Sequence, residues 1–337
     1  MLSEKSVSVV IPVLNEGEHI KECLDSLLAQ DYNNIGNIEI LVVDGSSADK
    51  SKQIVKDFMS DNRISVKALQ NINRITSSGL NIGIKEANGG YIVLLSGHAS
   101  LDKSYISSCM NKLKEKNSDC VGGKVAILSD NFIKKAIAIA RSSLIGGSIL
   151  PHRYSNRGCF VRTVAYGLYK KEIFEKTGLF DEKLICDQDE EFNWRLIKNG
   201  FKIYFNPEAK SYYRQKRNIF GLAQQLFRTG FWKAKTQKKH PDFFKISFII
   251  PSLFILSLVL FFVMGLFYKS SFYIFIGELA AYVSTILLFS LLSALQNGFN
   301  YFLILPLIYL VIHFSIGFGF LAGILEGKIY NKNAAFN

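Results

Sequence analysis

Runs of consecutive apolar residues alternate with segments of mixed polarity along the first hundred residues. The apolar runs are rich in Val and Ile, which predicts buried β-strands. Between them, apolar residues recur three and four positions apart, which predicts helices with one apolar face. Strands that alternate with helices predict an α/β fold, in which a mostly parallel sheet is flanked by helices. The predicted strands are Ser6–Leu14, Ile38–Val43, Ser65–Leu69 and Tyr91–Leu95.

Polar or acidic residues follow three of these strands directly. In a parallel sheet, ligands bind beyond the carboxyl ends of the strands, so these segments are the first candidates for a binding site. The turn after the first strand lacks the GxGxxG pattern of dinucleotide-binding folds, and the sequence contains no P-loop pattern. A nucleotide bound here would need a metal ion or basic side chains for its phosphates. The candidate segments are Pro12–Glu16, Asp44–Asp49 and Ser96–His98.

The polarity of the chain changes after Lys245. Ile246–Tyr268 contains no charged residue, Phe272–Leu295 contains one acid, Glu278, and Phe299–Leu325 is a third apolar stretch. Each is long enough to cross a bilayer, which takes about 20 helical residues. The sequence therefore predicts an α-helical transmembrane region with three spans.

The formal net charge of +12 indicates an anionic partner: nucleic acid, a membrane surface or an anionic substrate. No nucleic-acid-binding motif is present, so nucleic acid is not expected. Basic residues are concentrated in Lys210–Lys245, just before the first apolar stretch. This predicts contact with anionic lipid and a multi-pass protein of the cell membrane whose catalytic domain is cytoplasmic. Lys328 and Lys332 oppose this orientation, because three spans would place them outside.

Four carboxylates are crowded into the stretch Cys186–Arg195. Apolar residues then recur at helical spacing, which predicts that the acids open a helix. Acids in a first helical turn are favoured by the helix dipole, so one interpretation is a solvated helix start. The other is a carboxylate that takes part in catalysis, and the pattern alone leaves both open. The four acids are Asp187, Asp189, Glu190 and Glu191.

The segments SVVIPVLNE, EILVVDGSSADKS and LNIGIKEANGGYIVLLSGHAS occur in this order over roughly the first hundred residues. They resemble the nucleotide-sugar half of family 2 inverting glycosyltransferases, which have the GT-A fold. The resemblance implies that Glu16 and Asp44 contact the nucleoside of a nucleotide-sugar donor, with Pro12 and Ser96 at the same site. A carboxylate can accept protons from uracil N–H or ribose hydroxyl groups. Asp49 is expected to cap the following helix instead.

The end of the fourth strand differs from the family pattern. The family usually has DxD there, with acids that reach ribose and a divalent metal, whereas this chain has Ser96-Gly97-His98. Imidazole binds Mn well and Mg poorly, because hard cations prefer oxygen. We therefore expect a divalent metal, Mn or Mg with Mn favoured, and His98 as its ligand. The alternatives are that His98 donates to a phosphate oxygen directly or simply fills the loop.

The acceptor side of the family is marked by GxFDE followed by an acid pair and an Arg. Here Gly178–Glu182 precedes Asp189, Glu191 and Arg195 in that register. The resemblance implies that Asp189 is the catalytic base and that Glu191 and Arg195 lie on the acceptor side. One carboxylate then takes the proton of an acceptor hydroxyl as that oxygen attacks the anomeric carbon. A single displacement inverts the configuration.

The QxxRW signature of the family is partly present. Gln225 and Arg228 match it, but Thr229 stands where the family has Trp. On a helix the two matching residues share a face. The resemblance implies that Arg228 holds the donor diphosphate bidentately and that Gln225 contacts the acceptor. The alternative is a basic interfacial helix without substrate contact.

The apolar tail, with HFSIGFGFLAG in its last stretch, resembles the succinoglycan-type glucosyltransferase branch. This implies transfer from a nucleotide sugar, with UDP as the expected nucleotide, to a polyprenyl-diphosphate-linked glycan in cell-surface polysaccharide synthesis. The alternatives are transfer to polyprenyl phosphate itself, a processive synthase, and a non-catalytic nucleotide-sugar-binding scaffold. The missing Trp and the few spans disfavour the synthase. The predicted regions are a donor half (1–100), an acceptor half with a basic interfacial helix (101–245), the spans (246–325) and a tail (326–337).

Overall fold

The computed structural model describes residues 6–31, 35–60, 64–129, 131–146, 156–214, 218–243 and 246–326. The chain divides into two compact units. The first contains Met1–Leu128 and Leu150–Arg214, and the second contains Ser129–Ile149 and Gln215–Asn337. The boundaries predicted at residues 100 and 245 stay predictions.

The first unit is built on one sheet. Among the described residues this sheet has nine strands, in the order β3-β2-β1-β4-β8-β6-β9-β5, with β7 beside β9. The strands are β1 (Val7–Val13), β2 (Ile38–Asp44), β3 (Ser65–Gln70), β4 (Tyr91–Leu94), β5 (Ala99–Leu101), β6 (Cys120–Leu128), β7 (Cys159–Val161), β8 (Leu168–Lys170) and β9 (Ile203–Arg214).

The helices of the first unit follow the strands in the α/β order that the sequence predicts. They are α1 (Ile20–Leu28), α2 (Ser51–Met59), α3 (Thr76–Glu86) and α4 (Tyr105–Glu115), then, after the helix α5 (Phe132–Ser142) of the second unit, α6 (Glu172–Thr177) and α7 (Gln188–Lys198). Strands β3, β2, β1 and β4 are all parallel, whereas β8 runs antiparallel to both β4 and β6. The predicted α/β fold with a parallel sheet is confirmed, and its second half adds antiparallel pairs.

Both faces of the sheet are buried, which explains the continuous apolar runs. On β1, Val9 and Ile11 belong to one core cluster and Val10 belongs to the other. Side chains alternate between the faces of a strand, so a strand covered on both sides needs apolar residues at every position. The helices that cover the faces are therefore the reason for the runs from which the strands were predicted.

The second unit is entirely helical in its described part. It contains α5 together with α8 (Ile219–Lys239), α9 (Ile246–Gly265), α10 (Lys269–Asn297), α11 (Leu305–Leu325) and two short 3-10 turns. One apolar cluster joins α5, α8, α10 and α11. The segment that carries α5 thus packs with the C-terminal helices, although it lies between β6 and β7 in the sequence.

The prediction of three membrane spans needs a correction. Over the described residues, only α10 and α11 are long and apolar enough to cross a membrane by length and composition. The described apolar part of α9, Ile249–Gly265, is shorter. It also contains Pro251, which has no backbone N–H and removes one helical hydrogen bond. Two candidate spans therefore replace the three predicted ones.

Candidate functional site

The carboxyl ends of the parallel strands bring three predicted segments to one edge of the sheet. Val13 at the end of β1 pairs with Asp44 at the end of β2, and Val10 pairs with Leu94 of β4. The loops that follow these strands carry Glu16, Asp44 and Ser96–His98. Neighbouring strand ends in a parallel sheet form the usual ligand site, so this edge is the candidate donor site.

The loops after β1 and β2 are joined by hydrogen bonds. The backbone N–H of Asn15 donates to Ser47 Oγ at 2.9 Å, and the N–H of Ala48 donates to Asn15 Oδ1 at 2.9 Å. The N–H of Glu16 donates to Ser51 Oγ at 2.8 Å. The serines of the sequence DGSSADKS therefore fix the backbone around Glu16.

Asp44 lies at the rim of this edge. Its carboxylate accepts a hydrogen bond from Ser47 Oγ at 2.5 Å, and Lys52 Nζ lies 3.8 Å away. The side chain is 17% exposed, which leaves it within reach of a ligand. Its predicted contact with the nucleoside stays a prediction.

Asp49 connects the two loops rather than facing the edge. It accepts hydrogen bonds from Gly17 N–H at 2.8 Å and from the N–H and hydroxyl of Ser51 at 3.0 and 2.6 Å. Burial raises the pKa of Asp49, but the bonds from Ser51 and Gly17 outweigh it, so its pKa is lowered overall. Asp49 thus fixes the start of α2.

Glu16 and His98 form a pair. His98 Nδ1 lies 2.8 Å from Glu16 Oε1, and the side chains are 24% and 12% exposed respectively. The ring of Tyr213 meets the imidazole edge-on, with 5.2 Å between ring centroids. One ring nitrogen of His98 is therefore occupied by Glu16, which orients the other nitrogen.

The pair fits a metal site in which His98 is one protein ligand. The described residues include no group of three or more His, Cys, Asp or Glu that could hold a metal ion. A histidine that ligates a metal usually donates its second ring N–H to a carboxylate, and Glu16 stands in that position. His98 therefore fits as one ligand with Glu16 behind it, and a donor diphosphate would have to supply further oxygen ligands.

The segment Gly178–Leu184 is docked on α3. Asn81 Nδ2 donates to Phe180 O at 2.9 Å, and Phe180 N–H donates back to Asn81 Oδ1 at 2.9 Å. Asn81 also donates to Glu182 Oε1 at 3.0 Å. Helix α3 in turn approaches β1 closely, since a Cβ atom on Gly79 would lie 3.1 Å from Pro12. The predicted donor and acceptor segments are therefore connected through α3, and Asn81 is a residue that sequence reasoning missed.

Glu191 and Arg195 pair with each other. Arg195 Nε and Nη2 donate to the two oxygens of Glu191 at 2.8 and 3.0 Å, and Glu191 is 1% exposed. Arg195 also donates to the carbonyl oxygens of Thr177 and Leu179 at 2.9 and 2.8 Å. This geometry favours a positioning role, in which the pair holds α7 against the docked segment. The predicted acceptor contact of both residues stays a prediction.

Asp189 is in the first turn of α7 and is exposed, whereas Glu191 and Asn193 of the same helix are buried. Asn193 accepts a hydrogen bond from Tyr169 at 3.2 Å and donates to Thr163 at 2.8 Å. The pKa of Tyr169 is well above its usual value, first because of burial, and the charge of Asp189 contributes. An accessible carboxylate on a helix that such buried hydrogen bonds hold in place suits a general base.

Left-handed backbone conformations are concentrated in the loops that carry or adjoin the candidate site residues. Six described non-glycine residues have positive φ, and five of them lie in loops that carry or adjoin the candidate residues. Such conformations are unfavourable for residues with a Cβ and are often found at functional sites. Arg74 and Tyr166 had no signal in the sequence. The five are Asn15 (55°), Ser46 (63°), Arg74 (58°), Tyr166 (50°) and Asp187 (67°).

Gln225 and Arg228 lie on α8, in the second unit. The backbone carbonyl of Gln225 accepts a hydrogen bond from Thr229 Oγ1 at 3.0 Å, and Arg228 is exposed. Both residues are on one helix, as the sequence predicts. Their roles toward acceptor and diphosphate stay predictions.

An α/β sheet with acidic and polar loops at the carboxyl edge of its parallel strands is typical of a ligand-binding α/β domain. The chain belongs to the family described as glycosyl transferase family 2, whose sequence model matches residues 8–178. The protein is therefore a family 2 glycosyltransferase, and the predicted family and enzyme class are confirmed.

Relatives of the chain support this membership. A Methanococcus voltae protein is 31% identical over 330 residues, which cover 96% of this chain and 98% of that protein. Its name is dolichyl N-acetyl-alpha-D-glucosaminyl phosphate 3-beta-D-2,3-diacetamido-2,3-dideoxy-beta-D-glucuronosyltransferase. The succinoglycan biosynthesis protein ExoA of Rhizobium meliloti is 26% identical over 71% of this chain and 72% of that protein.

A solved structure supports the fold. The crystal structure of TarS from S. aureus matches with a TM-score of 0.50 and 17% sequence identity. The match covers 68% of this chain and 65% of that one, slightly less than two thirds of its length. At this identity the similarity concerns the fold alone.

Proposed function

We propose that this glycosyltransferase moves a sugar, with inversion, from a UDP-linked donor to a sugar already attached to a polyprenyl phosphate or diphosphate at a membrane. The Methanococcus voltae relative supports the acceptor class, because its name specifies a sugar carried on a dolichyl phosphate. The long apolar helices of the second unit agree with an acceptor carried in a membrane. The resemblance at the first two strand ends supports the nucleotide donor.

The position of Asp189 carries the proposal. It is an exposed carboxylate at the start of α7, in the register of the family's base, and the buried hydrogen bonds of Asn193 with Tyr169 and Thr163 fix the same helix one turn later. Asp189 accepts the proton of the acceptor hydroxyl as that oxygen attacks the anomeric carbon. No second catalytic acid is needed, since the leaving nucleoside diphosphate is itself a stable anion.

The other predicted site residues act on the donor. In this proposal Asp44 binds the nucleoside, and Pro12, Glu16 and Ser96 shape the loops around it. Arg228 provides positive charge for the diphosphate. A divalent ion bound by His98 would neutralise charge that develops on the leaving diphosphate.

Replacement of Asp189 by Asn tests the catalytic role. We expect kcat to fall by about 10²- to 10⁴-fold, the usual contribution of a general base, while the Kd for UDP changes by less than about twofold. Glu190→Gln, a change in the same helical turn, is the matched control and should keep most of the activity. Unchanged turnover of Asp189→Asn would refute the assignment.

The lipid acceptor is tested with purified protein and three acceptors: polyprenyl phosphate, polyprenyl phosphate carrying a sugar, and polyprenyl diphosphate carrying a sugar. Chromatography of the lipid products should show extension of a sugar-bearing lipid only. A glycosylated bare polyprenyl phosphate would support the alternative acceptor. Calorimetry that shows no UDP binding, with or without Mn, together with no transfer, would support the non-catalytic scaffold instead.

A further inference from the structure

Helices α8 and α11 run side by side in the same direction. A Cβ atom on Gly319 would collide with the carbonyl oxygen of Phe227, and one on Gly323 would collide with the carbonyl oxygen of Phe231. Both partners advance by four residues between these contacts, so the two helices are parallel. Glycines allow the two backbones to approach this closely.

The contact continues to the end of α11. Leu222, in the first turn of α8, belongs to the same buried cluster as Ile308 and Ile312 of α11. At the other end, Lys235 of α8 donates to the carbonyl oxygen of Glu326 and lies 3.8 Å from its carboxylate. Helix α8 therefore runs beside the larger part of α11.

Helix α8 is too polar to lie in hydrocarbon. Arg228, near the level of Gly319, is exposed, and the same helix carries three glutamines and four lysines. Charged side chains inside a bilayer are costly. If α11 crossed the membrane, its parallel neighbour would carry Arg228 into the hydrocarbon, about 9 Å before the end of α11. The glutamines and lysines are Gln224, Gln225, Gln237, Lys233, Lys235, Lys238 and Lys239.

Helix α5 indicates independently that α11 does not cross the membrane. Helix α5 has 11 residues, which span about 16 Å, too little to cross a bilayer. The chain leaves β6 for α5 and returns to β7 of the same sheet, so α5 stays on the enzyme domain's side of any membrane. Yet the turn after α5 is bound to the middle of α11: His313 Nε2 lies 2.7 Å from Ile145 O, and Tyr309 donates to Ser143 Oγ at 2.9 Å.

We propose that α5, α8 and α11 form one layer that lies in the plane of the membrane interface, and that only the hairpin of α9 and α10 enters the hydrocarbon. The layer has both kinds of surface that an interfacial helix needs. Leu307 and Phe318 of α11 are 47% and 49% exposed, and Arg228, Lys238 and Lys239 of α8 are exposed to headgroups or water.

The hairpin has the composition of a lipid-inserted element. Ser257 of α9 donates to Glu278 of α10, so the acid in this hairpin has a partner. At the turn between the helices, Phe267 and Tyr268 are 77% and 64% exposed, and Lys269 follows them. A hairpin enters and returns, so the end of α11 lies on the same side as the enzyme domain. The orientation conflict raised by Lys328 and Lys332 then disappears.

Depth measurements with spin labels test the layer. Leu307 and Phe318 are 11 residues apart, which places them on one face of α11 about 16 Å apart along the axis. Leu307→Cys and Phe318→Cys, labelled in bilayers, should give the same depth to within about 4 Å if α11 lies in the plane. A difference of about 15 Å, as expected for a spanning helix at the usual tilt, would overturn the proposal.

The matched control is a second pair with the same spacing on α10. Phe272 and Val283 are both 43% exposed. Phe272→Cys and Val283→Cys should differ clearly in depth, because α10 belongs to the inserted hairpin. Equal depths for this pair too would contradict the proposed insertion. The labelling is done in a Cys159→Ser, Cys186→Ser background that retains transfer activity, since the other three cysteines are buried.

The side of the membrane on which the C-terminus lies tests the proposal independently. A fluorescent protein that matures only in the cytoplasm, or an alkaline phosphatase active only outside it, is fused after the last residue of the full chain. The same reporters on the N-terminus locate the enzyme domain. We expect both ends in one compartment, and reporters in opposite compartments would overturn the proposal. The proposal does not depend on the catalytic assignment of Asp189.

Discussion

At the scale of single residues, Glu16 decides which nitrogen of His98 faces the site. Its carboxylate lies 2.8 Å from His98 Nδ1, and its side chain is 12% exposed. With Nδ1 donating to Glu16, Nε2 keeps a lone pair that can bind a metal. The predicted contact of Glu16 with the nucleoside stays a prediction, and its pair with His98 adds a positioning role.

Removal of this carboxylate should weaken metal-dependent binding specifically. We expect Glu16→Ala to lower the affinity for UDP in the presence of Mn by about 10- to 100-fold, the usual effect of losing such a partner, while binding in EDTA stays the same. Calorimetry in both conditions measures this. Glu18→Ala is the control, because that side chain is 92% exposed. Equal losses with and without Mn would mean that Glu16 contacts the nucleotide itself.

The sequence could predict features that depend on neighbouring residues, but not contacts between residues far apart in the chain. The places of Asp44 and Asp189 could be predicted, one at the end of a buried strand and one at a helix start, whereas their roles came from the resemblance and stay predictions. The pairing of Glu16 with His98 joins residues 82 positions apart, and no local pattern encodes it. The positive φ of Tyr166 depends on its tertiary surroundings, where the buried Tyr105 hydroxyl donates to its carbonyl oxygen at 2.8 Å.

At the scale of elements, the pair of Glu191 and Arg195 holds α7 in place. Removing the cation breaks the ion pair of the 1% exposed Glu191 carboxylate, which typically costs about 3–5 kcal/mol for a buried pair. Arg195→Ala should therefore lower the unfolding temperature of the purified protein, measured by calorimetry in detergent. An unchanged unfolding temperature with a raised KM for the acceptor would support the original prediction of acceptor contact instead.

Glu39 joins three elements and predicts a pH dependence of stability. It accepts hydrogen bonds from Ser8 on β1 at 2.5 Å and from Asn88 N–H before β4 at 2.6 Å. Burial raises the pKa of Glu39, but the bonds from Ser8 and Asn88 outweigh it and lower the pKa overall. A lowered pKa stabilises the fold above the unfolded value of about 4.3, and this stabilisation is lost as the pH falls through the folded value.

Glu39→Gln should therefore cost about 1–3 kcal/mol at pH 7, the range for hydrogen bonds to a charged group, and progressively less as the pH falls below about 4. Thermal unfolding of the two proteins from pH 7 to pH 3 measures the difference. Glu86→Gln, at an exposed position on α3, should show almost no difference at any pH. A constant gap between wild type and Glu39→Gln at all pH values would contradict the argument.

The elements of the first hundred residues were predictable because both faces of the sheet are buried, which leaves apolar runs in the sequence. The partner of α5 was not predictable. Its buried Ala136, Ile137 and Ala140 indicate an apolar face, but not that α8 and α11 cover it. Strands β7 and β8 have three residues each, too few for a periodic pattern.

At the scale of the whole molecule, the charge of the chain is distributed in a way that suits a membrane enzyme. The formal net charge is +12, and the exposed Lys238 and Lys239 are the last two residues of the basic helix α8. Each basic residue near an anionic lipid surface contributes about 1 kcal/mol of attraction at physiological ionic strength. The in-plane layer proposed above would hold these lysines at the headgroups, where this attraction acts.

The activity of the protein should therefore depend on lipid charge through the end of α8. In bilayers with about a third anionic lipid, we expect higher transfer activity than in neutral bilayers, and about 1 M salt should remove the difference because the screening length falls to about 3 Å. Lys238→Glu with Lys239→Glu should also remove it. Lys21→Glu with Lys176→Glu is the control, because these lysines of the enzyme unit have 71% and 61% exposed side chains and the same total charge change. If both double variants lost the dependence equally, net charge alone would explain it, and α8 would have no special place at the membrane.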